Sequence, residues 1–168
     1  MMTALLGLAA SLAVVIAAAV AVGLRLDSEY QVRVEATIEA AIDRVYARLA
    51  EVDRYALWRS DVSRVEWLGE RTPATWVEHL PTGRVHLELV DDAPPHRREH
   101  RLVHRLGSHR GAWTFELAEI SDTETTRITI IETKHLPNPV LRAFHRYCLV
   151  PDAPVRTWLG DLEHSFLS

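Results

Sequence analysis

The chain has 168 residues, of which 48% are hydrophobic and 25% are charged, and this composition is ordinary for one globular domain. Its formal net charge of −4 offers no broad basic surface, so we do not expect nucleic-acid binding. The only cysteine is Cys148, which excludes an intrachain disulfide bond and fits a reducing compartment.

The amino-terminal segment, residues 4–24, contains no charged side chain and only one polar side chain, Ser11. As a helix it would be roughly 30 Å long, which is close to the hydrocarbon thickness of a bilayer. We therefore predict that residues 1–25 form an uncleaved, single-span membrane anchor. Two alternatives are a secretory signal peptide cleaved after the small residues 19–21 and a helix buried in a soluble core. Arg25 follows the segment, so the positive-inside rule predicts a cytoplasmic carboxyl-terminal domain.

Beyond residue 29, the hydrophobic pattern changes between the period of a strand and that of a helix. In residues 30–37, apolar and polar side chains alternate, which predicts a half-buried strand. In residues 38–52, apolar side chains recur every three or four residues, which predicts a helix. Residues 53–60 are typical of a short second helix or a turn. Further strands are predicted over residues 62–69, 74–80, 84–90, 96–106, 112–120 and 126–136.

The carboxyl-terminal part of the chain leaves the strand period after Pro137. Asn138 can cap a helix that begins at Pro139, and Pro151 and Pro154 interrupt it. The helical pattern then resumes, and Trp158 and Leu162 belong to its apolar face. Short turns between consecutive strands predict an antiparallel sheet. The predicted fold class is therefore α+β, with a sheet of about seven antiparallel strands that buries the apolar face of one long carboxyl-terminal helix.

Several stretches of the chain, taken in order, carry a family resemblance. They are VRVEATIEAAIDRVYARLAEVDRYALWRSDVSRVEWL, APPHRREHRLV, GAWTFEL, TRITIIE and NPVLRAFHRY. In order and spacing, residues 30–168 resemble the SRPBCC superfamily of START-like, helix-grip proteins, and in particular its polyketide cyclase/dehydrase-like branch. The resemblance implies a curved sheet wrapped around the last helix. It also implies a cavity between them that holds lipids, sterols, polyketides, quinones or similar apolar molecules.

The tryptophans are the first candidates for a ligand site. Trp113 and Phe115 share one face of their predicted strand, and Trp76 and Glu78 share one face of theirs. Such residues either fill a core or line an apolar pocket. Trp58 is expected where the short helices meet the sheet. The residues predicted to line a cavity are Trp58, Trp67, Trp76, Glu78, His100, Trp113, Phe115, Glu132, Trp158 and Leu162.

Three histidines, His96, His100 and His104, occur at every fourth position of a predicted strand and therefore share one face. Four residues of a strand span roughly 13 Å, whereas the ligands of one zinc ion each lie about 2 Å from it. Neighbouring members of the row cannot meet at one ion, so no metal site is predicted. His100 and His104 are instead expected to point inward together with Leu102.

Glu132 follows Ile128 and Ile130 on the face of a strand that alternation would bury. A buried carboxylate needs a partner or a raised pKa, and the candidate partners are His86, His100 and Arg142. A carboxylate beside a histidine in an apolar cavity could perform general acid–base chemistry. The alternative is an ion pair that serves only the structure.

The chain contains no nucleophile motif, no phosphate-binding loop and no Cys/His metal spacing. We therefore expect no metal and no cofactor, and no catalytic residue is identified. The first functional hypothesis is a membrane-anchored protein that binds a hydrophobic small molecule without catalysis. The second is an enzyme similar to polyketide cyclases and aromatases that uses Glu and His side chains. The third is an interaction module in which the supposed cavity is a packed core.

Overall fold

A computed structural model describes residues 2–69, 73–103, 110–121, 124–150 and 152–167, with side chains from Ser11 onward except that of residue 110. The chain forms two compact units. Unit 1 comprises Met1–Tyr30 and His135–Pro151, and unit 2 comprises Gln31–Lys134 and Asp152–Ser168.

The elements of the described chain follow the predicted order of one strand, short helices, six strands and carboxyl-terminal helices. In sequence they are α1 (Met2–Leu24), β1 (Glu29–Ile38), α2 (Ile42–Ala50), a 3-10 turn (Val52–Arg54), α3 (Tyr55–Trp58), β2 (Arg64–Trp67), β3 (Thr75–Leu80), β4 (Gly83–Ala93), β5 (Arg97–Leu102), β6 (Arg110–Glu119), β7 (Thr126–His135), α4 (Pro139–Cys148) and α5 (Ala153–His164).

The strands form one seven-stranded sheet in the order β1-β7-β6-β5-β4-β3-β2, which confirms the predicted strand number. Strands β2 to β6 pair antiparallel with their sequence neighbours. This register places Trp67 opposite Trp76 and His100 opposite Trp113. Side chains directly opposite each other project from the same face of a sheet. The pairing therefore collects aromatic side chains from several strands on one face.

Strand β4 contains a bulge between Leu89 and Asp91. Leu89 pairs with His100, and the next pair joins Asp91 to Glu99, so Val90 is the extra residue. A bulge of one residue moves every following side chain to the other face of its strand. Asp92, rather than Asp91, therefore lies opposite Arg98 on β5.

Helix α5 packs its apolar face against the sheet within unit 2. Val155, Trp158, Leu159 and Leu162 are buried, and the Trp158 ring lies 4.8 Å from that of Phe115 on β6. The carboxyl-terminal region forms two separate helices, α4 and α5, rather than one long helix, and the interruption predicted near Pro154 lies between them. Pro154 stands in the first turn of α5, where its missing N–H group costs nothing, and it could not continue an earlier helix.

Unit 1 contains α1 and α4, which approach each other closely. A Cβ atom added to Gly23 would lie 1.7 Å from the carbonyl oxygen of Pro139, so only glycine permits this approach. The guanidinium of Arg142 donates to the carbonyl oxygens of Leu26 at 2.7 Å and Pro137 at 3.1 Å. These contacts fasten the end of α1 to the first turn of α4.

The membrane span predicted for residues 1–25 is not supported. In the part of the chain that the structure describes, no helix combines the length and the apolarity needed to cross a membrane. The predicted amino-terminal helix itself is present as α1, and it packs against α4 within unit 1.

Candidate functional site

Aromatic side chains from the inward face of the sheet, from α3 and from α5 meet in one cluster. The Trp158 ring lies 5.1 Å from that of Trp58 and 6.3 Å from that of Tyr55, and both pairs meet edge to face. Tyr55 is fully buried, and its hydroxyl donates to the carbonyl oxygen of Leu49 at 2.7 Å. Burial therefore raises its pKa well above the ordinary value. Tyr55 was not among the predicted site residues.

His100 lies within this cluster and is only 3% exposed. Its ring centroid is 4.8 Å from that of Trp76 and 5.2 Å from that of Phe115. Its Nε2 atom accepts a hydrogen bond of 3.0 Å from Nε of Arg98, so a neutral ring carries its proton on Nδ1. Burial, together with the charges of Arg98 and Arg59, lowers the pKa of His100 well below its ordinary value. The prediction that His100 points inward is confirmed.

Glu78 and Arg59 form a buried ion pair next to the cluster. The Arg59 guanidinium donates to Oε2 of Glu78 at 2.8 Å, and Nε1 of Trp76 donates to Oε1 at 3.1 Å. Asp61 receives two further hydrogen bonds from Arg59, at 3.0 and 2.8 Å. Burial alone would lower the pKa of Arg59, but Glu78 and Asp61 outweigh it and raise that pKa. The carboxylate of Glu78 is thus fully engaged by its neighbours.

Arg98 links His100 to the bulged part of β4. One guanidinium nitrogen donates to both carboxylate oxygens of Asp92, at 3.1 and 3.0 Å. The hydroxyl of Tyr46 on α2 also donates to Asp92. Arg98 was not among the predicted site residues, although alternation places it on the same face as His100. Arg59 was not among them either, because the short helix α3 before it has no periodic pattern.

Glu132 is buried on β7 as predicted, but its predicted partners were wrong. It pairs with Lys134 at 2.9 Å rather than with His86, His100 or Arg142. Lys134 stands two residues along the same strand and therefore shares its face. Burial raises the pKa of Glu132, and the ammonium of Lys134 only partly offsets this effect. This pair corresponds to the structural ion pair that sequence analysis left open.

The remaining predicted site residues differ in their positions. Trp67 is 45% exposed and stacks on Trp76, with the ring centroids 6.2 Å apart and nearly parallel. Trp113 is half-buried, and its ring lies 6.4 Å from that of Phe115. Leu162 is fully buried on α5. The assignment of all these residues to a cavity lining stays a prediction.

Trp58 differs from the other tryptophans in its polar atom. The side chain is half-buried, but Nε1 is inaccessible to solvent and has no hydrogen-bond acceptor among the described residues. A buried indole N–H normally finds an acceptor. Among the described residues, this donor is buried and unpaired within the aromatic cluster.

The histidine row does not form a metal site in the described part of the chain, where no group of three or more His, Cys, Asp or Glu residues could hold an ion. His96 is exposed and His100 is buried, and His104 lies outside the described residues. The arrangement around His100 is instead a hydrogen-bonded pair with an arginine.

A comparison with protein families places most of the chain in one of them. The model described as "Polyketide cyclase / dehydrase and lipid transport" matches residues 29–161. This range contains the whole sheet and most of α5. No curated protein matches the chain in sequence.

Solved structures share the fold at low sequence identity. A START superfamily protein from Mycobacterium smegmatis is 10% identical with a TM-score of 0.64, over 80% of this chain and 95% of that one. The Zhui aromatase/cyclase from Streptomyces sp. R1128 is 16% identical with a TM-score of 0.65, over 82% and 93%. Norcoclaurine synthase from Thalictrum flavum, in complex with dopamine and hydroxybenzaldehyde, is 9% identical with a TM-score of 0.66, over 83% and 87%. These likenesses establish a common architecture.

Proposed function

Because this chain belongs to the polyketide cyclase/dehydrase and lipid transport family, we propose that unit 2 binds a hydrophobic small molecule that carries an oxygen acceptor. The observation that carries the proposal is the buried indole N–H of Trp58, which lacks an acceptor among the described residues. If a neighbouring side chain moved aside, a carbonyl or hydroxyl oxygen of a ligand would satisfy it. The edge-on rings of Trp158 and Tyr55 beside it would contact the apolar body of that ligand.

The charged groups around the cluster favour a neutral ligand. Arg59 is paired with Glu78 and Asp61, and Arg98 is paired with Asp92. Since each buried guanidinium already has a carboxylate partner, neither leaves an uncompensated charge that would require an anionic ligand. The proposed ligand class is therefore a neutral, ring-containing molecule with a ketone, quinone or hydroxyl oxygen.

The proposal is tested by calorimetric titration of the full chain with naphthoquinone and with naphthalene, which has the same ring system without the oxygens. The variant Trp58→Phe keeps an aromatic ring but loses the N–H donor. We expect it to weaken the binding of naphthoquinone about three- to tenfold. Naphthalene should bind both proteins equally. Tyr147→Phe is the control, because Tyr147 is 69% exposed and belongs to unit 1, and it should leave both affinities unchanged.

Native mass spectrometry of the full chain from its own host, followed by lipid extraction, identifies a natural ligand. A bound species of defined mass that also raises the unfolding temperature supports the proposal, since a ligand at 100 times its Kd adds about 2.7 kcal/mol to stability. Recovery of empty protein only, with no stabilisation by quinones, fatty acids, sterols or aromatic polyketides, would overturn it. That result would favour the third hypothesis, an interaction module with a packed core.

An enzyme similar to polyketide cyclases is the second candidate, and the neutral imidazole of His100 favours it. A neutral ring with its proton on Nδ1, held among aromatic side chains, could donate a hydrogen bond to an oxyanion that develops during reaction. The buried carboxylates are otherwise engaged, since Glu132 is paired with Lys134 and Glu78 is bound to Arg59 and Trp76. This arrangement supports binding over catalysis. Turnover of a poly-β-ketone thioester analogue that is lost in His100→Gln would reverse that order.

A further inference from the structure

Helix α1 exposes apolar side chains on every side over part of its length. All residues from 11 to 18 are exposed, and the large ones among them are Leu12, Val14, Val15 and Ile16. Eight consecutive residues of a helix cover every direction around its axis. A helix that is apolar all round is normally covered on all sides, in a protein core or in lipid. Water is therefore an unfavourable surrounding for this stretch.

Helix α4, in the same unit, exposes a second set of apolar side chains. Its exposed large residues, including those just after its end, are Leu141, Phe144, Tyr147, Leu149 and Val150. Residues 136–150 contain no Asp or Glu, whereas Arg142 and Arg146 lie between the apolar residues. Aromatic and aliphatic side chains interspersed with arginine, without acids, are typical of helices that lie in a membrane interface.

We propose that unit 1 docks onto an anionic lipid surface, with residues 11–18 of α1 among the acyl chains and α4 in the headgroup layer. A protein partner or a second copy of this chain would cover one side of a helix, whereas acyl chains surround it. The arginines of α4 complement the negative charge of anionic headgroups. The docking requires no helix that crosses the bilayer.

The close contact between the two helices makes them one docking unit. Gly23 of α1 approaches the backbone of Pro139, and Arg142 binds the carbonyl oxygens of Leu26 and Pro137. Because Arg142 has this structural role, Arg146 is the better residue for testing the attraction to headgroups. Docking by unit 1 is independent of the ligand proposed for unit 2, so either can fail without the other.

The experiment is flotation of the full chain with vesicles of phosphatidylcholine alone or mixed with phosphatidylserine. We expect binding to the mixed vesicles that weakens as salt is added. The double variant Phe144→Asp/Tyr147→Asp should reduce the partition coefficient at least tenfold, because it places two charges where apolar rings enter the interface. Arg146→Glu should reduce it about tenfold on mixed vesicles and little on phosphatidylcholine alone.

The matched control is Leu57→Asp, which replaces a side chain that is 81% exposed and belongs to α3 in unit 2. This variant should float like the wild type. An equal loss of flotation in Leu57→Asp and in the α4 double variant would overturn the proposal, as would equal binding to both vesicle types. Absence of flotation, together with self-association that the α4 variant abolishes, would assign the surface to a second copy and would also overturn it.

Discussion

The ring of His100 lies against those of Trp76 and Phe115, and its pKa is lowered by burial and by two neighbouring arginines. An unfolded histidine has a pKa of about 6.5. Below that pH, the unfolded chain takes up a proton that the folded protein does not bind. The free energy of unfolding should therefore fall as the pH drops from about 7 to about 5. His100 should account for up to about 1.4 kcal/mol per pH unit of this decrease.

Urea unfolding at several pH values checks this expectation. His100→Gln should unfold with a smaller pH slope than the wild type, whereas His96→Gln, at an exposed position, should keep the slope. Glu132 has the opposite effect on the free energy of unfolding. Its raised pKa means that the folded state retains a proton above about pH 4.5, where the unfolded chain has lost it, so Glu132 lowers the stability as the pH rises. The two variants are therefore compared with the wild type at each pH. Identical slopes in His100→Gln and the wild type would contradict the expectation.

Arg59 and Glu78 provide a second prediction at the level of single residues. Arg59→Met should lower the free energy of unfolding by about 3–5 kcal/mol, because it leaves the carboxylate of Glu78 buried without its cationic partner. Adding Glu78→Gln should restore much of that loss. Arg54→Met removes an exposed pair with Glu51 and should cost at most about 1 kcal/mol. If the double variant were no more stable than Arg59→Met, the ion pair would not explain the loss.

Two glycines test how tightly neighbouring elements pack. A Cβ atom at Gly160 in α5 would meet nothing within 4 Å, so Gly160→Ala should stabilise the protein by about 0.5–1 kcal/mol through helix propensity. A Cβ atom at Gly111 in β6 would lie 2.8 Å from the carbonyl oxygen of Thr133 in β7. Gly111→Ala should therefore lower the unfolding temperature, and Gly160→Ala should raise it. Equal effects would contradict the packing of β6 on β7.

The start of α4 depends on one side chain. The Asn138 side-chain oxygen accepts from the backbone N–H groups of Val140 at 2.9 Å and Leu141 at 3.3 Å. Asn138→Ala should cost about 1 kcal/mol, and Asn138→Asp should cost much less, because it keeps an acceptor at the cap. Hydrogen exchange of the first turn of α4 measures the effect locally. Equal protection in the two variants would show that the cap contributes little to this helix.

Over the whole molecule, the sequence predicted what depends on periodic burial. Alternation located the strands of the sheet and the inward positions of Trp76, His100 and Glu132, because one face of each strand is buried. The apolar face of α5 was also correct, since Trp158 and Leu162 recur at helical spacing. These features follow from the local pattern of apolar residues, and residues distant in sequence do not alter them.

The rest could not be predicted because it depends on contacts between distant residues. Arg59, which directly follows α3, contacts Glu78 on β3, and no spacing rule connects the two positions. The division into two units likewise follows from tertiary packing. For α1, composition predicted a membrane span, but it could not predict the close contact of Gly23 with Pro139.

The bulge at Val90 reverses which residues of β4 face inward, because it adds one residue to this strand and none to its partner β5. Before it, odd-numbered residues such as Leu87 and Leu89 face inward, and after it Asp92 does. Deleting Val90 would make the ladder regular and keep Asp92 opposite Arg98. If the ladder were regularised with Val90 retained, Asp91 would move opposite Arg98 instead. A sequence without this bulge would therefore need a gap at this position before its acidic residues could be compared with Asp91 and Asp92.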